Sequence, residues 1–243
     1  PELEMKKLLP EGPDRIFQIA RAFRSGERGE RHNEEFTLLE WYAAGQTYED
    51  LMADTEGLVF DAAAALSEAG VDSPPPSWSR PFARITVDDA FASHAGWRPS
   101  EDYRADPFFR DLVEKVEPAL AGRGALFLTD YPEPAGALAR RKRGNPLVCE
   151  RFELYLDGLE ICNGFSELTD PVEQRSRFER DNAARKEAGK EPYPVDESFL
   201  SALEAGIPPC AGNALGVDRL FMALTGQRRL ADVTLLAGTV GIP

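Results

Sequence analysis

The chain has 243 residues, 42% of them hydrophobic, and a net charge of -14, so it can bury a sizeable core as one large domain. That acidity argues against nonspecific binding along a phosphate backbone, which draws on clustered Lys and Arg. Three cysteines, Cys149, Cys162 and Cys210, without metal-type spacing, argue against a disulfide framework or a zinc site. No apolar run approaches the roughly 20 residues that span a bilayer and no secretory leader opens the chain, so the expectation is a soluble, cytoplasmic protein with no membrane partner.

In chain order, Glu2 to Leu9 carries apolar residues at Leu3, Met5, Leu8 and Leu9, a short helix stopped by Pro10 and Gly12. A strand is predicted from Arg15 to Phe23 and, after a charged loop, a second from Glu35 to Ala43. Thr47 caps a helix whose Leu51, Met52, Leu58, Val59, Ala62 and Leu66 form one apolar stripe. Pro74-Pro75-Pro76 breaks the chain, and the stretch 67–121 reads as a variable insertion, with helix starts at Thr86 and at Asp106-Pro107. Gly124 to Asp130 is a short apolar strand, and Arg140-Arg-Lys-Arg143 is the one basic cluster, read as a solvated loop. Leu147 to Phe165 is a hairpin turning at Asp157-Gly158. Helices follow from Asp170-Pro171 to about Gly189, from Asp196 to Gly206, and from Asp218. Hairpin strands interleaved with unevenly spaced helices imply an α+β fold, an antiparallel β-sheet flanked by helices and not a parallel βαβ sheet.

Two places carry chemistry. In the second strand, alternation puts Phe36, Leu38, Glu40 and Tyr42 on one face. Arg24, just before the loop, can grip a carboxylate or phosphate in its planar fork, and Phe36 offers a stacking face for a base or for the guanidinium. The pair suggests ATP beside an amino acid. In the hairpin, a two-residue turn at Asp157-Gly158 sets Tyr155 opposite Glu160 and Glu153 opposite Cys162, so both glutamates share a face. Leu154, Leu156, Leu159 and Ile161 make the other face and fix the register. Two such carboxylates suit Mg²⁺ bridging phosphates; the plainer reading is a pair of acids on a solvated sheet. Simple alternation sends Asn163 to the opposite face, and bringing it back needs a bulge or twist near Gly164.

The blocks Arg21 to Glu40, Glu153 to Asp170 and Gly212-Asn-Ala-Leu-Gly-Val-Asp-Arg219 together resemble the class II aminoacyl-tRNA synthetases, closest to the lysyl branch. The resemblance runs from Pro1 nearly to the C-terminus, is weakest over 67–121, and treats residues 1–243 as one catalytic domain whose motif 1 would lie before Pro1. It implies that Arg24 clamps the α-phosphate against the substrate carboxylate, Phe36 stacks on adenine, and Arg219 meets the γ-phosphate. His32, Asn33 and Gly216 would approach ATP, and Glu153 and Glu160 would hold Mg²⁺. Asn163 would meet the amino acid's carboxylate and Glu167 its side-chain ammonium, with Glu40 and Tyr42 in the same pocket and Glu2 on the other amino group. The implied reaction is attack of a carboxylate on the α-phosphorus of ATP. Class II relatives dimerise through motif 1, so a homodimer is expected from the family alone.

Ala214 stands where lysyl enzymes usually carry Gly, and Ala-Leu-Gly-Val-Asp-Arg219 is similar to the elongation factor P–lysine ligases, in which the change accompanies preference for (R)-β-lysine over lysine and a lysine of the factor is the acceptor. The catalytic part of a lysyl-tRNA synthetase, with tRNA as acceptor, is the alternative. Ser25-Gly26 replaces the Asn-Glu usual after the motif 2 arginine, with Glu27 placed to compensate, which keeps a non-catalytic regulatory paralogue as a third reading. His94 lies in the unmatched region and reads as an ordinary histidine.

Overall fold

The computed structural model describes residues 1–71 and 78–234; the predicted proline break at 74–76 lies outside them. Seven strands form one sheet path in the order β1-β2-β8-β7-β6-β4-β3, comprising β1 (Arg15–Phe23), β2 (Glu35–Ala44), β3 (Ala83–Thr86), β4 (Ala125–Pro132), β6 (Asn145–Leu156), β7 (Leu159–Ser166) and β8 (Cys210–Gly216), with the short β5 (Arg141–Lys142) paired to β6. All pairings are antiparallel except the edge pair β3/β4. The expected antiparallel sheet is thus present, with one short parallel pair at its edge. Its β3 is four residues long and sits in the segment where only helix signals were legible, and the returning strand is reached through helices, as a parallel crossover requires.

One face of the sheet is covered by α2 (Tyr48–Glu68) and α8 (Val217–Thr225). The predicted stripe of α2 supplies Leu51, Met52 and Val59, fully buried against Phe152, Leu154, Ile161, Ala211 and Leu215. Asp50 accepts a hydrogen bond from the Thr47 N–H at 2.8 Å and so closes the start of α2, an arrangement that contributes about 1 kcal/mol. On the other face the middle of the sheet stays open. One flank holds α1 (Glu2–Lys6) and α7 (Glu197–Gly206), packed around Tyr42 and Cys210; the other holds α3 (Val87–His94), α4 (Ala105–Asp111) and α5 (Glu117–Leu120), packed on Leu126, Leu128 and Tyr131. Between the flanks lies a trough floored by β2, β8, β7 and β6. The last helix of the charged stretch, α6 (Pro171–Glu187), is capped by Asp170 as predicted, its carboxylate accepting from the N–H groups of Val172 and Glu173.

Two helix starts are corrected. The N-cap of α4 is Arg104, with Asp106 and Pro107 inside the first turn. Helix α8 begins at Val217, and Asp218 within it turns its carboxylate to accept the N–H of Thr37 on β2 at 2.7 Å. Three of the four residues of the basic cluster pair with neighbours: Arg140 with Glu150, Arg141 with Glu133 and Glu173, and Lys142 with Asp130. No helix among the described residues is long and apolar enough to cross a membrane.

The β6/β7 hairpin turns where predicted, with Asp157 at φ 49 and Gly158 at φ 81, the left-handed pair that matches strand twist. A side chain at Gly158 would be strained, and its Cβ would fall 2.9 Å from the Ala121 Cα. Gly158→Ala is therefore expected to lower unfolding free energy by about 1–3 kcal/mol, measured by urea denaturation. The register differs from expectation beyond the turn. Tyr155 faces Glu160, but Leu154 pairs with Cys162 and Glu153 with Asn163, leaving Ile161 as an extra residue on β7. The bulge needed to return Asn163 to the glutamate face is present, three residues before Gly164.

Candidate active site

The trough holds a cavity of about 380 Å³. Arg24, His32, Asn33, Phe36, Glu153, Glu160, Gly216 and Arg219, the predicted nucleotide side, all line it, as do Glu2, Glu40, Asn163 and Ala214 from the predicted amino-acid side. Tyr42 and Glu167 do not line it; they lie one layer deeper, in contact with the same network.

At the end predicted to take the nucleotide, the Arg24 guanidinium lies 5.3 Å from the centre of the Phe36 ring and 3.6 Å from Glu27. The face of Phe36 thus serves the guanidinium in this state, and Glu27, itself a lining residue, reaches the arginine across the Ser25-Gly26 replacement. Asn33 donates to the carbonyl of Glu35 at 2.9 Å, which pins the loop to the start of β2. Arg219 donates to the backbone and side-chain oxygens of Glu160, at 3.1 and 3.2 Å, and contacts His32 Nε2 at 2.7 Å. That last contact requires a neutral imidazole with Nε2 accepting. Burial and the Arg219 charge both lower the His32 pKa, which favours that form.

At the centre, Glu153 is buried and both oxygens are fixed: Oε1 accepts from Arg151 Nη2 at 2.7 Å and Oε2 from the Tyr155 hydroxyl at 2.9 Å. Arg151 Nε also donates to Asn163 Oδ1 at 3.0 Å. With its oxygen so occupied, the Asn163 amide presents its NH₂ group as a donor for an incoming acceptor. Burial and the nearby Glu153 charge raise the Glu160 pKa, while Arg219 pulls it down. A cation between the two carboxylates would relieve that repulsion. Both are hard oxygen donors, and among the described residues no set of three or more His, Cys, Asp or Glu side chains is grouped to hold a metal alone. The pair fits an ion such as Mg²⁺ that takes its remaining ligands from phosphate and water.

At the end predicted to take the amino acid, Glu40 is buried and its Oε2 has no hydrogen-bond partner. Desolvation raises the Glu40 pKa. Behind it the ammonium of Lys6 sits 2.7 Å from both Glu2 Oε1 and Glu167 Oε2. Ala214 lies in register between Glu40 on β2 and Asn163 on β7, so its methyl group stands on the floor between the two.

The sequence pattern of the tRNA synthetases class II (D, K and N) matches residues 1–239. The chain belongs to that family. It is 36% identical to an elongation factor P–(R)-β-lysine ligase of Vibrio vulnificus (strain YJ016), and 40% to one of Vibrio parahaemolyticus serotype O3:K6 (strain RIMD 2210633), in each case over 96% of the chain and 75% of the relative. It is 38% identical to a lysine–tRNA ligase of Psychrobacter sp. (strain PRwf-1) over 97% of the chain, and spans about half, 51%, of that relative.

In this class II synthetase domain, two residues of the site escaped the sequence reading. Arg151 was legible by alternation, since it stands two residues before Glu153 and shares its face. Lys6 was not, because it hides in a five-residue helix beside a second lysine. Gly212 is where the end predicted to take the amino acid is tightest: a Cβ there would overlap the Tyr42 ring and fall 2.7 Å from Glu167 Oε1. Gly212→Ala is expected to weaken amino-acid binding by about tenfold or more while leaving ATP binding unchanged, measured by calorimetric titration of each.

Proposed function

We propose that the chain activates a lysine-type amino acid with ATP, as an acyl-adenylate, and transfers it to a lysine of elongation factor P, with (R)-β-lysine as the amino acid. A substrate carboxylate received by Arg24 and the Asn163 NH₂ group is already ionised, so its attack on the α-phosphorus needs no general base. Pyrophosphate leaves and the acyl-adenylate forms. Arg24 and Arg219 neutralise charge on the phosphates as it moves from the bridging oxygen to pyrophosphate, and the fixed loop and strand positions hold the reactants together. Glu153 and Glu160 would hold Mg²⁺, which supplies further neutralisation of the triphosphate. The acceptor amine then attacks the acyl carbon and releases AMP.

The observation that carries the choice of amino acid is Ala214, in register between Glu40 and Asn163. A methyl group there displaces an amino acid stretched between those residues, which supports a substrate whose amino group is set one carbon further from its carboxylate. Ala214→Gly is expected to shift the preference toward α-lysine by about tenfold in pyrophosphate exchange. An unchanged ratio would remove this argument. The similarity to a lysine–tRNA ligase supports the second reading, aminoacylation of tRNA. Incubation with ATP, the amino acid and either elongation factor P or lysine tRNA, followed by mass analysis of both acceptors, separates the two: modification of the factor is expected, and modification of tRNA alone would overturn the proposal.

A further inference from the structure

Lys6 is the least conspicuous charge at the site and the most enclosed, with 1% of its surface exposed. Its ammonium is 2.7 Å from Glu2 Oε1 and 2.7 Å from Glu167 Oε2, and it lies 4.9 Å from the centre of the Phe165 ring and 5.8 Å from that of Tyr42. Two carboxylates and two aromatic faces hold the amine protonated, and its pKa is raised accordingly. It is therefore no nucleophile and no acceptor for the acyl group. Its contacts use one oxygen of Glu167 and leave the other, Oε1, buried without a partner, as Oε2 of Glu40 is on the neighbouring strand. Unpaired buried carboxylate oxygens cost free energy unless a cation reaches them. Three carboxylates, Glu2, Glu40 and Glu167, face one lysine, and the remaining two negative charges match the two ammonium groups of a diamino acid.

We propose that Lys6 is the positioning residue of the amine end: its ammonium keeps Glu167 ionised and turned so that Glu167 Oε1 and Glu40 Oε2 remain free for an ammonium carried by the incoming amino acid. The inference rests on the proposed lysine-type substrate and deepens it, because it assigns the selection for a second amine to a residue that acts through the carboxylates. Burial raises the Glu167 pKa and the Lys6 ammonium beside it pulls it back down, so without the Lys6 charge a carboxyl this enclosed takes a proton more readily and ceases to attract a cation. Charge at position 6, not the length of the side chain, is what the site needs.

The test is calorimetric binding of lysine and of norleucine, which lacks only the distal ammonium, to the unaltered chain and to Lys6→Met, Lys6→Gln and Lys6→Arg, with ATP binding measured alongside. Lys6→Met and Lys6→Gln are expected to reduce the lysine-to-norleucine affinity ratio by about a hundredfold with ATP affinity retained. Lys6→Arg should keep the ratio within about tenfold, since it keeps the charge. Lys6→Gln stays polar and keeps an NH₂ donor for the carboxylates, so it stays informative if the methionine variant fails to fold. An unchanged ratio in the neutral variants, or an equal loss of lysine, norleucine and ATP affinity, would overturn the inference and leave Lys6 a structural ion pair. So would an unaltered chain that binds lysine no better than norleucine. Selective lysine binding without pyrophosphate exchange would instead overturn the proposed reaction and leave the role of Lys6 standing.

Discussion

Arg219→Ala is expected to slow ATP–pyrophosphate exchange by about a thousandfold, with the circular dichroism spectrum unchanged. The guanidinium projects from the first turn of α8 and uses its fork on two separate partners, Glu160 and His32. It therefore stands between an acidic centre and a charged loop, where a triphosphate would add negative charge and demand a fixed cation. Lysine cannot substitute: one ammonium does not reproduce a planar fork that reaches the Glu160 backbone, its carboxylate and an imidazole together. Arg219→Lys should recover only a small part of the loss. Exchange kinetics at saturating amino acid separate the effect on ATP from that on the amino acid, and near-normal exchange in Arg219→Ala would show the residue to be a surface ion pair.

The second large effect is expected at Arg151. Its guanidinium is stacked 4.2 Å from the Tyr131 ring centre and donates to Glu153, Asn163 and the carbonyl of Ala135. Arg151→Met removes the partner of a buried carboxylate and frees the Asn163 amide to flip, which would present an oxygen to the substrate carboxylate proposed to bind there. Loss of one member of such a pair costs about 3–5 kcal/mol of stability. Urea denaturation should read that loss, and among molecules still folded the KM for the amino acid should rise more than the KM for ATP. Arg151→Met combined with Glu153→Gln removes both charges and is expected to regain most of the stability without regaining activity. A double variant with restored kinetics would show that Arg151 only balances charge.

Much of this arrangement was readable from residue types. β1 runs from Arg15 to Phe23 as predicted, and Thr47, Asp170 and Asp196 start helices as capping residues should. Asp157-Gly158 announced its turn because few residue pairs tolerate two successive left-handed conformations. Phe36, Leu38 and Glu40 line the cavity together because a strand keeps its period, and Arg24 and Arg219 converge on it from elements nearly 200 positions apart because β2 and β8 are neighbours. Other features were hidden for physical reasons. The parallel strand β3 is too short to show a period, and its pairing depends on a crossover no local pattern encodes. The exact depth of Glu167 and Tyr42 depends on where Lys6 folds back, a tertiary contact between a five-residue helix and the end of β7. The extra residue at Ile161 left no local mark, since it is an apolar side chain on a strand where apolar side chains are expected.

That extra residue gives β7 two reading frames. Between the turn and Ile161 the even-numbered side chain, Glu160, looks into the trough; past it the odd-numbered ones do, beginning with Asn163, while Cys162 looks toward the core. A strand that kept Ile161 but lost the bulge would turn Cys162 into the trough and send the Asn163 amide among hydrocarbons, whereas deleting Ile161 would leave the Leu154–Cys162 and Glu153–Asn163 pairs as they are, so one surplus residue decides which side of the sheet the far half of β7 presents.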